Sequence, residues 1–357
     1  MRYATIMILP ALGALSVERA ILAIYSVTAN DARDFTDVPY DLNQSFSFSE
    51  KRRGLQFSTR MSLHELDREP LAHSCSSEAF VFRRNVPNTG SYDESSRIPK
   101  IIHQTSRSRC MTPTFYNATK SWELEGWSYH FHDDDAVDRL LATDFPEFPH
   151  LRMIVDNCLT SGTLKADLWR YVVLWVYGGL YADIDSIPNS FTARTIDPGD
   201  DGFFVVEQYH ILSQYFMAVS PRHPLMYYAI HHSLVNLLQA ADTGKQNAAL
   251  VTGPHALHQA YISFRGDVGV RVDPRRTGYK PVWKGKFLGT QNRSVTVVGI
   301  GENENEYIKR NAVSAEVKIQ DYKAMGMTHF HKYKKANMRS GRTCLSAIYH
   351  HRRNLFN

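Results

Sequence analysis

The stretch KADLWRYVVLWVYGGLYADIDSIP, Lys165 to Pro188, constrains the fold more than any other part of the 357-residue chain. Leu164, Leu168, Tyr171, Val172, Trp175 and Val176 recur at three- and four-residue steps, the spacing of one buried helical face. Gly178 and Gly179 then supply a left-handed cap and a turn. LYADIDSIP re-emerges extended, and Pro188 marks the end of that strand. On a strand, residues i and i+2 share a face, so Asp183 and Asp185 aim at one spot while Ile184 faces the core. Two hard oxygen donors in that arrangement suit Mg2+ or Mn2+, ions that complete their shells with water and substrate phosphates. The competing reading is a solvated strand-to-loop turn.

Elsewhere strand and helix patterns alternate, which predicts an α/β sheet with crossover helices. IPKIIHQT, from Ile98, and WSYHFH, Trp127 to His132, read as short buried strands. Further strands are expected at 203–208, 215–220, 294–300 and 328–332, and helices at 135–142, 224–241 and 254–264. An aspartate of the run Asp133 to Asp135 caps the first of these helices. Residues 30–97 are polar and Ser-rich, and predict a stem or loosely ordered lead-in; the catalytic domain is expected over 98–335, followed by a basic tail over 336–357. Residues 1–29 hold two apolar runs broken by Glu18 and Arg19. They are expected to be a signal peptide or signal anchor, with an amphipathic helix packed on the domain as the alternative.

Charge and cysteines narrow the class. The net charge is +5, with basic residues scattered except in HKYKK and HHRR. This fits a phosphate-bearing ligand and argues against nucleic acid as a partner. The four cysteines have no CxxC spacing, which points away from a thiolate metal site and allows one or two disulfides in a lumenal protein. Sequons at Asn43, Asn117 and Asn292 agree with exposure to a lumen.

Four blocks, IPKIIHQT, SW with YHFHDDD, the 165–188 stretch and ALVTGPHAL (249–257), occur in an order that resembles glycosyltransferase family 32. With the histidines near the domain's end the resemblance runs from about Ile98 to His331, some two thirds of the chain. The resemblance implies a GT-A fold, a mostly parallel sheet flanked by helices, binding a nucleotide-sugar at the carboxyl ends of its strands. It implies that Asp183 and Asp185 hold the metal and the donor's ribose or diphosphate. Asp167 and Arg170 match helix positions that hydrogen-bond the donor sugar, with a plain i,i+3 ion pair as the alternative. Tyr181 matches a position near the donor, and His103, Gln104 and Thr105 match the end of the first strand beside base and ribose. His329 and His331 are candidates to complete the metal shell, and the lysines after them to neutralise the diphosphate. Two departures stand out: SRSRC follows IHQT where many relatives have a tryptophan, and a Gly-Ser-Trp near the domain's end is missing.

The implied activity is metal-dependent, retaining hexosyl transfer in the Golgi or ER lumen. Mannose from GDP-mannose is the preferred donor, and UDP-galactose, UDP-glucose and UDP-N-acetylglucosamine are alternatives. The acceptor is a glycan or glycolipid. An Asp-x-Asp phosphatase, with Asp183 as nucleophile, and a non-catalytic sugar-binding protein are the competing classes.

Overall fold

The computed structural model describes residues 61–68, 74–82, 96–148, 150–159, 161–207, 210–239, 247–266, 281–300, 306–310, 313–327, 344 and 346–347. The N-terminal segment, the sequon at Asn43, and the strand at 328–332 with His329 and His331 lie outside them.

The chain runs α1 (Leu63–Leu66), β1 (Phe80–Val81), β2 (Ile101–Thr105), β3 (Cys110–Met111), α2 (Pro113–Lys120), β4 (Ser128–His132), α3 (Asp134–Leu141), α4 (Leu151–Cys158), α5 (Gly162–Tyr177), β5 (Gly179–Ala182), β6 (Ile187–Pro188), β7 (Gly202–Val206) and β8 (Leu212–Val219). It continues through α6 (Pro224–Gln239), α7 (Ala248–Val251), α8 (Pro254–Phe264), β9 (Gly285–Leu288), β10 (Ser294–Ile300), β11 (Ile308–Lys309) and α9 (Ala315–Ala324). A seven-stranded sheet has the order β4-β2-β5-β8-β7-β10-β9. The pairs β4/β2, β2/β5 and β7/β10 are parallel, while β8 opposes both β5 and β7, and β9 opposes β10. Five of the seven strands therefore share one direction, the mostly parallel α/β sheet that the resemblance implies.

Side chains alternate between the two faces of this sheet with the strand period of two. Tyr181, Phe204, Val206, Met217 and Val219 join one apolar cluster with α3, α4, α5, α6 and α8. Leu180, Ala182, Phe203, Val205, Phe216 and Ala218 join the other, around Trp122, Trp127 and Phe191. Helix α5 is buried nearly all round, not along one stripe: Trp169, Val173, Leu174 and Tyr177 are as enclosed as the six periodic positions. Apolar residues on every side of a helix fit a position beneath other helices.

The glycine pair does what its spacing predicts. Gly178 closes α5 at φ +66° and Gly179 opens β5 at φ +93°. A Cβ on Gly179 would stand 2.5 Å from the carbonyl oxygen of Ile101, so only glycine lets β5 approach β2 this closely.

The lead-in expected over 30–97 is packed onto the domain where it is described. Leu66 is fully buried among α3 and its neighbours, Phe82 lies in the second cluster, and β1 pairs with β3. Disulfides join Cys75 to Cys110 and Cys158 to Cys344. The second fastens the expected basic tail to α4. Among the described residues no helix is long and apolar enough to cross a membrane.

Candidate functional site

The two aspartates lie just beyond β5, in a turn rather than on the strand. The strand ends at Ala182, and the Ser186 N–H donates to the Asp183 carbonyl at 3.0 Å, closing a four-residue turn. Ile184 still faces the core, as the alternation requires. The chain then re-extends as β6, whose Pro188 pairs with Ile308 of β11 in a two-stranded ladder.

The turn is braced from all sides. The Ser186 hydroxyl also donates to the Asp183 carbonyl at 2.7 Å, and the Asp183 N–H donates to the Tyr215 carbonyl at 2.9 Å. Trp122 Nε1 donates to the Ser186 carbonyl at 2.8 Å. Gln104 Nε2 reaches the Asp183 carbonyl at 3.2 Å, and its own Oε1 accepts from the Tyr129 hydroxyl at 2.9 Å. Gln104 thus holds the backbone that presents the carboxylates, a support that keeps the pair in one geometry.

Asp167 and Arg170 share a face of α5, and Arg170 links Asp167 to Asp183. Arg170 Nη2 lies 3.2 Å from Asp167 Oδ1, and Nη1 lies 3.3 Å from Asp183 Oδ1. Nη1 also donates to the Gln214 carbonyl at 3.0 Å, and the guanidinium stacks 4.7 Å from the centre of the Tyr181 ring. The Tyr181 hydroxyl donates to Asp183 Oδ1 at 2.7 Å. The i,i+3 ion pair therefore exists, and it is buried and tied to Asp183 rather than exposed. Burial raises the Asp167 carboxyl to about 6 even against the pull of Arg170, whereas Tyr181 and the two acids more than offset the burial of Arg170 and strengthen its charge.

Several residues that complete the site carry no pattern of their own. Thr252, in the ALVTGPHAL block, donates to Asp167 Oδ2 at 3.0 Å, and Gln214 Nε2 donates to the Thr252 carbonyl at 3.1 Å and to the Tyr171 hydroxyl at 2.8 Å. Glu207, beyond β7, lies 3.5 Å from Arg310 Nη1, which itself stacks 5.0 Å from the Tyr215 ring. Burial, with Asp183 adding to it, raises the Glu207 carboxyl. Lys318 on α9 is buried and its Nζ pairs with Asp185 Oδ2. Tyr322, one turn later, stacks on Phe115 and is raised by burial and then by Asp185 and Asp183. The lysines of 332–335, expected to neutralise the diphosphate, lie outside the described residues; the lysine described at the pair is Lys318. The only signal for it in the sequence is an amphipathic pattern too weak to read.

The structure takes His103 elsewhere. It is fully buried, with Nε2 donating to the Gly178 carbonyl at 3.1 Å and Nδ1 3.1 Å from His132 Nε2. Both ring nitrogens are engaged internally, and burial holds the imidazole well below its usual range, so His103 offers no polar atom to a donor. His132 Nδ1 in turn lies 2.6 Å from Asp67 Oδ1, without the alignment of a hydrogen bond, and His130 Nδ1 lies 2.7 Å from Asp67 Oδ2. Thr105 is half-buried and donates to the His132 carbonyl at 2.9 Å. These first-strand residues support the sheet from the side of α1.

The residues present fit a divalent cation. Among the described residues, the contacts to the aspartate pair fall on Asp183 Oδ1 and Asp185 Oδ2, and both side chains reach solvent, at 32% and 16% exposure. Four carboxylates (Asp167, Asp183, Asp185, Glu207) gather with three cations (Arg170, Arg310, Lys318), a balance of one negative charge when all are ionised. Burial and then Asp183 raise the Asp185 carboxyl, a repulsion that a shared cation relieves. Among the described residues no group of three or more histidine, cysteine or acidic side chains has metal-binding geometry, so of these residues the aspartate pair would hold an ion, with the candidates His329 and His331 outside the description.

The region that holds the turn is similar to known proteins. Residues 105–198 match the family model described as a glycosyltransferase sugar-binding region containing a DXD motif. Inositol phosphoceramide mannosyltransferase 3 of Schizosaccharomyces pombe is 33% identical over 108 residues, 30% of this chain and 28% of that protein. Inositol phosphoceramide mannosyltransferase 1 of the same yeast is 25% identical over 41% of this chain and 46% of its own length. The initiation-specific alpha-1,6-mannosyltransferase of Candida albicans is 28% identical over 27% of this chain and 26% of its own. The chain thus matches less than half the length of each of these relatives. A solved structure, the PaToxG glycosyltransferase, overlaps 46% of this chain and 68% of its own with a TM-score of 0.34 and 16% identity. The four motif blocks, the matched region and the yeast relatives are similar to glycosyltransferase family 32, and residues 105–198 match a DXD-containing sugar-binding region.

Proposed function

We propose that the chain is a metal-dependent, retaining glycosyltransferase that moves a hexose, mannose from GDP-mannose by preference, to a glycan or glycolipid acceptor. The observation that carries this reading is the braced turn holding Asp183 and Asp185 at the carboxyl end of β5, in contact with Arg170 and through it with Asp167. That is where an open α/β sheet binds its ligand. The names of the yeast relatives favour mannose.

Asp183 and Asp185 would hold a divalent ion, Mn2+ or Mg2+, with no described residue supplying a third carboxylate or imidazole to it. The ion supplies charge compensation for the departing diphosphate. Arg170 holds Asp183 Oδ1 in place, leaving the other oxygen for the ion, and presents its guanidinium beside the sugar position. Asp167, fixed by Arg170 and Thr252, orients that guanidinium. Tyr181 supports both from below. The hydroxyl of the acceptor would attack from the front face, with the departing phosphate taking its proton, because each of the four carboxylates gathered at the site is held by a cationic partner. Two disulfides and the exposed Asn117 and Asn292 support an oxidising, lumenal compartment such as the Golgi or ER. Membrane attachment rests on the N-terminal segment, outside the described residues.

Incubating purified protein with GDP-mannose, UDP-galactose, UDP-glucose and UDP-N-acetylglucosamine, with and without Mn2+, tests the reading. Metal-dependent release of nucleoside diphosphate from one donor is expected. Asp183→Asn and Asp185→Asn should each reduce it at least about 100-fold, the usual scale for removing one charge-stabilising group. Full activity in either variant, or phosphate release from simple phosphomonoesters instead, would overturn the assignment.

A further inference from the structure

The Lys318 to Asp185 pair sits where a metal ligand is expected to be available. Lys318 belongs to α9, far along the chain from the turn, and its side chain is buried to 6% exposure against Asp185. The segment that brings it is anchored: β11 pairs with β6 immediately after the turn, Arg310 ties to Glu207, and Tyr322 stacks on Phe115 with ring centroids 5.1 Å apart. The placement is therefore built by the fold.

A buried ammonium must keep an anionic partner, because leaving it unpaired in a low-dielectric site is costly. A divalent ion at Asp185 and the ammonium of Lys318 compete for the same carboxylate. A nucleoside diphosphate arriving with the metal resolves the conflict, since its phosphate oxygens offer the ammonium a replacement partner. The site carries a balance of one negative charge, so the metal alone reverses its sign and metal with diphosphate restores it.

Resting on the functional reading above, we propose that Lys318 is a displaceable counter-ion of the DXD turn: it holds Asp185 when no donor is bound, opposes metal binding, and passes to the donor's diphosphate when metal and donor enter together. Lys318 is thus a positioning residue that makes metal and diphosphate binding depend on each other.

The test needs no turnover. Mn2+ affinity is measured by electron paramagnetic resonance of free Mn2+, and GDP and UDP affinity for the Mn2+-loaded protein by calorimetry, for wild type, Lys318→Met, Lys318→Gln and Lys318→Arg, each checked for folding by circular dichroism. The charge-removing variants should bind Mn2+ alone at least tenfold more tightly than wild type and should lose at least tenfold in affinity for whichever nucleotide binds. Lys318→Arg should stay near wild type in both. Mn2+ affinity that is unchanged or weaker in the folded Met or Gln variant overturns the proposal, and so does unchanged nucleotide affinity. Asp183→Asn separates the two levels. If it leaves Mn2+ binding intact, or if neither wild type nor the charge-removing Lys318 variants bind Mn2+ with or without nucleotide, the metal reading itself falls and takes this inference with it. If it abolishes binding while the Lys318 variants match wild type, only the inference fails.

Discussion

Replacing Arg170 by methionine isolates what holds the site together. Methionine fills much of the same volume but removes the charge shared between Asp167 and Asp183, at 3.2 Å and 3.3 Å. At an effective dielectric constant of about 20, one contact at that separation is worth about 5 kcal/mol before desolvation is counted. Losing one partner of a buried pair typically costs about 3–5 kcal/mol, because the remaining charge is stranded. Desolvation offsets much of the Coulomb attraction, so urea unfolding at pH 7.5 followed by tryptophan fluorescence should show a loss in the latter range. The mechanism also fixes a pH dependence. Burial pushes the Asp167 carboxyl up to about 6 from its ordinary 3.8, so between those values the native state binds more protons than the unfolded one. Its contribution to stability is therefore greatest at acid pH and falls as pH rises through 4 to 6, by about 3 kcal/mol in all. Without Arg170 the carboxyl shifts further up, so the Arg170→Met defect should shrink at pH 5. Adding Asp167→Asn to Arg170→Met should recover at least about 1 kcal/mol. A loss below about 1 kcal/mol, or strictly additive effects in the double variant, would refute the account of a coupled buried cluster.

Two other perturbations test the frame. His223 is fully buried, with Nε2 donating to the Ser294 carbonyl at 3.2 Å and Nδ1 accepting from the Leu225 N–H at 3.2 Å, and burial lowers it to about 3. The unfolded chain takes up that proton first as pH falls below 6.5, so stability is full above that value and declines toward 3. His223 should account for about 2 kcal/mol of loss between pH 7.5 and 5, a slope that His223→Gln flattens in denaturation curves. Gly179→Ala places a methyl 2.5 Å from the Ile101 carbonyl at φ +93°, and should cost at least about 2 kcal/mol in the same assay while weakening Mn2+ binding through the displaced turn.

What could be read from the sequence was whatever repeats locally. Helix α8 falls where its apolar pattern puts it, and β10 likewise, because burial on one side imprints a period on neighbouring residues. Helices α5 and α6 agree to within two residues at each end. Asp133 caps α3, accepting from Ala136 N–H at 3.0 Å, as an aspartate beside an apolar run should. At Asp183 the sequence leaves strand and strand-to-loop turn both open, and the turn forms because its hydrogen bonds come from Ser186 and from distant Gln104. Asp167, Arg170 and Tyr181 were identified by resemblance, and they converge on Asp183. Thr252 lay in a recognised block without an assigned contact. Glu207, Arg310 and Lys318 were invisible because nothing in their own neighbourhoods encodes the partner. His103 shows the reverse error: a motif position whose chemistry is spent inside the fold on Gly178 and His132.

The β6 to β11 ladder sets an order on synthesis. All four carboxylates of the site, Asp167 to Glu207, emerge before Arg310 and Lys318, and only Arg170 accompanies them. Domains begin to organise as the chain is made. A nascent sheet that has already placed the aspartate turn must therefore carry excess acid, relieved by protons, by solvent or by a free divalent ion, until the strand at 308–309 docks and brings the two missing cations into place.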